Sequence, residues 1–145
     1  MEKVLILSGS KSDDDIAKQA MDVLNAFGVN CRYEVASAHR NPEKVDRLVR
    51  ESTASVFICI AGLSAALPGV VAARTTKPVI GVPANAALNG LDSLLSVVQM
   101  PPNVPVAGVG IGMGKNAGLL AVQILAVSDS ELANKLVDFK EKLKA

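Results

Sequence analysis

The chain has 145 residues, a length that suits one domain with a real core and is short for two. Half of the residues are hydrophobic while aromatics make up 3% and Trp is absent, so the interior has to be built from Ala, Val, Ile and Leu, which suits helices packed closely on a sheet. With 15 Lys and Arg against 14 Asp and Glu, the net charge is +1 and no basic stripe is available to track a phosphate backbone, which argues against a nucleic-acid partner.

Val4 to Leu7 is a short apolar run that stops at Ser8-Gly9-Ser10, and from Ser12 the pattern turns helical with Ile16, Ala20, Leu24 and Phe27 on one face. Ser12 is the expected cap of this helix, Asp13 to Asp15 favour its positive first turn, and Gly28 is a natural terminator. Cys31 to Ala36 reads as a second strand, followed by Ser37-Ala38-His39-Arg40 and a helix capped by Asn41 with Pro42 at its first position. Val56 to Ala61 is a third, wholly apolar strand, leading through Gly62 to Leu67 into a helix expected from Pro68. Val79 to Val82 and Val106 to Ile111 read as the fourth and fifth strands. Ser128 and Glu131 have capping-box spacing ahead of an amphipathic helix over 128–144.

Continuous apolar strands alternating with helices predict a parallel sheet covered on both faces, a doubly wound three-layer α/β/α sandwich spanning residues 1–145 as one domain. Cys31 and Cys59 fall inside strand-like runs without metal or redox spacing and are expected to be buried free thiols in a reducing cytosol. The first ten residues enter a strand directly, without the parts of a secretion signal, and nowhere do the roughly 18 successive apolar residues of a spanning helix occur. The expectation is a soluble, cytoplasmic protein with no membrane partner.

Ligands of doubly wound sheets bind beyond the carboxyl ends of the strands, which selects Gly9 to Asp13, Ser37 to Arg40, Gly62 to Pro68 and Pro83 to Asp92. The first segment meets a helix N-terminus with free amides and hydroxyls, a phosphate site or an ordinary capped turn. It lacks the spacing of a Walker loop. Asp13 is either a helix-start carboxylate or an acceptor for ribose hydroxyls. His39, the one histidine, has the one side chain whose unperturbed pKa lies near neutrality, and a proton-transfer role competes with that of a plain surface residue. Arg40 beside it offers a fork suited to phosphate or carboxylate. The small residues of the third loop permit either close approach of a flat ligand or tight helix packing.

Taken together, Gly-Ser-Lys-Ser-Asp at 9 to 13, Ser-Ala-His-Arg at 37 to 40, Leu-Pro-Gly at 67 to 69, Pro-Val-Ile-Gly-Val-Pro at 78 to 83, Gly-Leu-Asp-Ser-Leu-Leu-Ser at 90 to 96, Gln-Met-Pro at 99 to 101 and Asn-Ala-Gly-Leu-Leu-Ala at 116 to 121 form one ordered series. This series resembles the N5-carboxyaminoimidazole ribonucleotide mutase family over about residues 3 to 126. The resemblance implies a flavodoxin-like sheet, a homo-octamer with sites shared between subunits, a purine-synthesis nucleotide as substrate, and no metal or organic cofactor. By position it implies that Ser10 and Asp13 hold the ribose and phosphate end, that Arg40 binds the phosphate and that His39 shuttles the proton. Gly9, Ser12, Ser37, Ala38, Ser64 and Leu67 would complete the substrate pocket.

One position departs from the pattern: the bacterial mutases read Gly-Gly-Ala-Ala-His-Leu-Pro-Gly in the third loop, and Ala66 stands in place of the histidine. Animal-type carboxylases, which take carbon dioxide directly, also lack it. Their loop continues differently, however, and the 78–83, Asp92 and Gln99 segments follow the mutase branch. Direct carboxylation is the first alternative; a non-catalytic nucleotide-binding module, using the Gly9 to Asp13 turn without need of His39, is the second.

Overall fold

The computed structural model describes all 145 residues. Five parallel strands carry the fold: β1 (Val4–Ser8), β2 (Cys31–Val35), β3 (Val56–Ala61), β4 (Val79–Pro83) and β5 (Ala107–Gly108), in the order β2-β1-β3-β4-β5. Helices α1 (Asp14–Ala26), α2 (Pro42–Glu51), α3 (Leu67–Ala72), α4 (Leu91–Val98), α5 (Gly114–Ala126) and α6 (Ser130–Lys142) cover it. This is the doubly wound, flavodoxin-like arrangement expected from the sequence. No helix is long and apolar enough to cross a membrane.

The central strands β1, β3 and β4 are buried throughout because successive side chains point to opposite faces and both faces are covered, whereas edge strand β2 carries Arg32 and Glu34. Val4 and Ile6 of β1 join Ile58, Ile60, Ile80 and Val82 in a core layer against α1, α5 and α6. Leu5 and Leu7 point the other way, with Phe57 and Cys59, against Val45 and Val49 of α2, Val71 of α3 and Val97 of α4. Cys59 is fully buried, whereas Cys31 is only half-buried, because β2 is an edge strand; both are free thiols.

Four local expectations need correction. Ser12 does not cap α1: its N–H and hydroxyl donate to Ser10 Oγ (3.2 and 3.0 Å), so Ser10 caps a single 3-10 turn, Lys11–Asp13, that precedes the helix. The fifth strand is only two residues long, although the glycine-rich stretch after it stays against β4, with Val109 N–H donating to Gly81 O (3.1 Å) and Gly112 N–H, at φ +69°, to Pro83 O (2.8 Å). The helix after β3 opens at Leu67, one residue before Pro68. The last helix is capped by Asp129, whose carboxylate accepts from Leu132 N–H at 3.1 Å; Ser128 still belongs to the turn leaving α5, its N–H donating to Leu125 O.

Helix α5 packs on α1 through small residues. A Cβ on Gly114 would lie 2.1 Å from Ile16 O, and one on Gly118 would lie 2.8 Å from Ala20 O, so a side chain at either position pushes the helices apart. Gly114→Ala is expected to lower stability by about 1 to 3 kcal/mol, read as a lower midpoint in urea unfolding with an unchanged m-value.

Candidate active site

The chain leaves β1 toward β2 on one side and reaches β3 on the other, so the connections after β1 and β3 diverge at their carboxyl ends. A crevice opens at such a reversal of strand order. Here it is a cleft of about 320 Å³. All ten residues singled out from the sequence line it: Gly9, Ser10, Ser12 and Asp13 from the turn after β1, Ser37, Ala38, His39 and Arg40 from the loop after β2, and Ser64 and Leu67 from the loop after β3.

The turn after β1 is held from both sides. Gly9 N–H donates to Ile60 O of β3 at 3.1 Å, and Ala36 N–H donates to Ser8 O at 2.8 Å. Ser10 Oγ accepts twice from Ser12, which leaves its own proton free to donate into the cleft. The N–H groups of Ser10 and Lys11 have no acceptor in the chain, and they lie just ahead of the 13-residue helix α1, where the dipole favours an anion.

The loop after β2 is short and anchored. Ser37 Oγ accepts from Arg40 N–H (3.1 Å), Ser37 O accepts from Asn41 N–H (2.9 Å), and Asn41 Oδ1 caps α2 through Lys44 N–H (3.1 Å). Lys44 Nζ reaches back to Val35 O at 2.6 Å, fastening the helix to the strand end. His39 and Arg40 are exposed at the tip, with their side chains free of any partner in the chain.

Six further residues line the cleft, Ala61, Gly62, Leu63, Ala65, Ala66 and Ala86, of which the sequence drew attention to Ala66 alone, as a departure from the family pattern. Ala86 comes from the segment after β4 and lies against Gly62, where a Cβ would meet it at 3.2 Å. Leu63 has φ +55° and is 56% exposed at the mouth of the cleft, an unusual conformation for a bulky residue that sequence reading has no means of flagging. Asp92 and Ser93 lie outside the cleft. Ser93 Oγ shares its proton between Ala84 O (2.7 Å) and Gly90 O (3.0 Å), tying down the segment that carries Ala86.

Residues 3–145 match the family model described as AIR carboxylase. The chain belongs to the AIR carboxylase family. It is 57% identical to a Methanocaldococcus jannaschii protein named N5-carboxyaminoimidazole ribonucleotide mutase, over 97% of this chain and 90% of that one. A protein of the same name from Bacillus subtilis is 49% identical, over 96% and 90%. The crystal structure of Treponema denticola PurE superposes with a TM-score of 0.84 at 28% identity, covering 97% of this chain and 90% of that chain.

Within this AIR carboxylase family cleft, Asp13 is the buried carboxylate, 8% exposed. Burial raises its pKa, and the neighbouring charge of Asp14 adds to the shift. The folded protein therefore holds its proton to higher pH than the unfolded chain does, so this group lowers stability as pH rises above its ordinary value of 3.8. Asp13→Asn should melt at a higher temperature than the wild type at pH 7 and lose that advantage below about pH 4. Thermal unfolding followed across that range checks the sign.

Proposed function

We propose that the chain converts N5-carboxyaminoimidazole ribonucleotide to 4-carboxy-5-aminoimidazole ribonucleotide in purine biosynthesis, with His39 as the proton shuttle. One observation carries the reading: the sole histidine shares a cleft with an anion-ready helix entry and a free arginine. Family membership and the mutase name of the similar proteins support the same substrate.

The residue types suit the chemistry. The nucleotide's phosphate sits on the Ser10 and Lys11 amides with Arg40 as counter-charge, and Asp13 accepts from the ribose hydroxyls. Protonating the carbamate nitrogen breaks the bond to carboxylate carbon; the electron pair stays on nitrogen and carbon dioxide is released. The electron-rich ring carbon then attacks carbon dioxide, forming the new carbon–carbon bond, and loses its proton to restore the aromatic ring. One imidazole gives the first proton and takes the second, so no redox cofactor or metal enters the proposed cycle. Small residues, Ala38, Ala65 and Ala66 among them, give a flat ring room to approach.

His39→Asn is expected to leave binding of the ribonucleotide within about three-fold of wild type while lowering kcat by about 100-fold or more. Turnover equal to the wild type would remove the shuttle role. Ala66 favours the second reading, direct carboxylation. Assaying the carbamate nucleotide without bicarbonate beside aminoimidazole ribonucleotide with bicarbonate separates the two, because only a mutase uses the carbamate alone.

Retaining carbon dioxide calls for a closed site, and the proposal includes assembly into a homo-octamer with sites shared between subunits. An apolar ridge supports it: Leu88, Leu91, Leu95 and Val98 are 72%, 54%, 47% and 44% exposed, beginning two residues beyond Ala86 of the cleft. Beside the ridge, β5 is short and exposed. Leu95→Glu is expected to reduce the mass measured by light scattering and to lower activity with it; a monomeric wild type would refute the shared site.

A further inference from the structure

One phenol braces both ends of the turn after β1. Tyr33, on edge strand β2 and paired in register with Ile6, donates its one proton to Asp14 Oδ1 at 2.5 Å and accepts from the Ser8 hydroxyl at 2.7 Å. Ser8 is the last residue of β1 and fully buried; Asp14 is the first residue of α1. Ser8 Oγ in turn lies 3.0 Å from the Ser10 carbonyl, which also accepts from Asp13 N–H at 3.1 Å. The segment Gly9 to Asp13 is thus closed into a loop whose entry and exit meet on one oxygen.

We propose that Tyr33 is a positioning residue that sets the width of the Ser10 turn and thereby its affinity for the phosphate group of the substrate. The proposal rests on the reading of that turn as the phosphate site. Two features make the brace stiff. The bond to Asp14 is charge-assisted, which makes it the short and strong kind. The Tyr33 ring also packs against the core layer beneath α1, so the hydroxyl is delivered from a fixed base. Burial, reinforced by the hydrogen bond to Asp14, pushes the phenol up to about 12.

The other tie between the two ends of the turn runs through the Ser10 carbonyl, which Ser8 Oγ and Asp13 N–H share. Without the brace, Ser8 keeps its bond to the Ser10 carbonyl, while Asp14 is free to turn to solvent. The first residue of α1 is then no longer tied directly to the end of β1, and only the bonds to the Ser10 carbonyl hold the width of the turn. The amides of Ser10 and Lys11, pre-set in the wild type, have to be ordered at the moment of binding, and the ligand that needs them bears that cost. A ligand without a phosphate does not use them.

Calorimetric titration with aminoimidazole ribonucleotide and with its phosphate-free riboside isolates this effect, because the ratio of the two dissociation constants measures what the phosphate contributes. Tyr33→Phe keeps the ring and its packing, so folding is preserved. It is expected to weaken ribonucleotide binding by about three- to ten-fold, the worth of one hydrogen bond, with riboside binding unchanged. In turnover the same variant should raise KM with kcat within about two-fold of wild type. Ser10→Ala serves as the comparison. A Tyr33→Phe protein that keeps the wild-type ratio while Ser10→Ala loses it would overturn the role of Tyr33 and leave the turn as the phosphate site. A wild type that does not favour the ribonucleotide would overturn both, and a Tyr33→Phe protein with the wild-type ratio overturns the role of Tyr33 whatever Ser10→Ala does, because that variant keeps the Ser10 amide. Equal weakening of ribonucleotide and riboside by Tyr33→Phe would show general loosening and also sink the proposal.

Discussion

Parallel pairing of β1 with β2 on one side and β3 on the other is the constraint from which the rest of this molecule follows. A parallel ladder obliges each strand to end at the same edge of the sheet, and it forbids tight hairpins, so each connection must cross a face and brings a helix with it. Reversing the strand order at β1 then sends successive connections to opposite faces. The gap between them is filled by no side chain of the sheet, and it is bordered by backbone amides at the start of α1. Chemistry is located here by topology before any particular residue is chosen.

The covering helices meet the same constraint differently on the two faces. Above one face α1 and α5 approach so closely that only glycine fits at 114 and 118, and the backbones themselves make the contact. Below the other, α4 lies on Gly81 through Val97, where a Cβ would come within 2.5 Å, and turns Leu91, Leu95 and Val98 outward. Close packing on one side and exposed aliphatic surface on the other are consequences of a composition almost without aromatics, since small residues fill space only when the elements come together.

Much of this was legible in the chain. Apolar runs such as Val56 to Ala61 announce a two-sided strand because nothing polar interrupts them, and Asn41-Pro42 announces a helix start because both residues suit it and little else. The cleft could be assembled from sequence because it collects strand-end loops, which a topology argument locates without coordinates. Helices α4 and α5 were harder. Neither was assigned from the sequence, and only the close approach of α1 explains Gly114 and Gly118. Ser10 displaced Ser12 as cap because one 3-10 turn shifted the helix start, a three-residue detail below the resolution of periodicity. Ala86 carried no chemical signal, and the left-handed backbone of Leu63 carries none in any sequence.

The loop between β2 and α2 is pinned at both ends, by Ala36 to β1 and by Lys44 across to Val35. Because those anchors are backbone carbonyls and a helix cap, none of them depends on which side chains occupy positions 38 to 40. His39 and Arg40 at the exposed tip can therefore exchange without disturbing the scaffold, whereas Ala38 packs against the core layer. Such an arrangement makes the loop a replaceable cassette: its exposed side chains can change by drift at little risk to folding, while the free amides at the start of α1 stay where the sheet puts them.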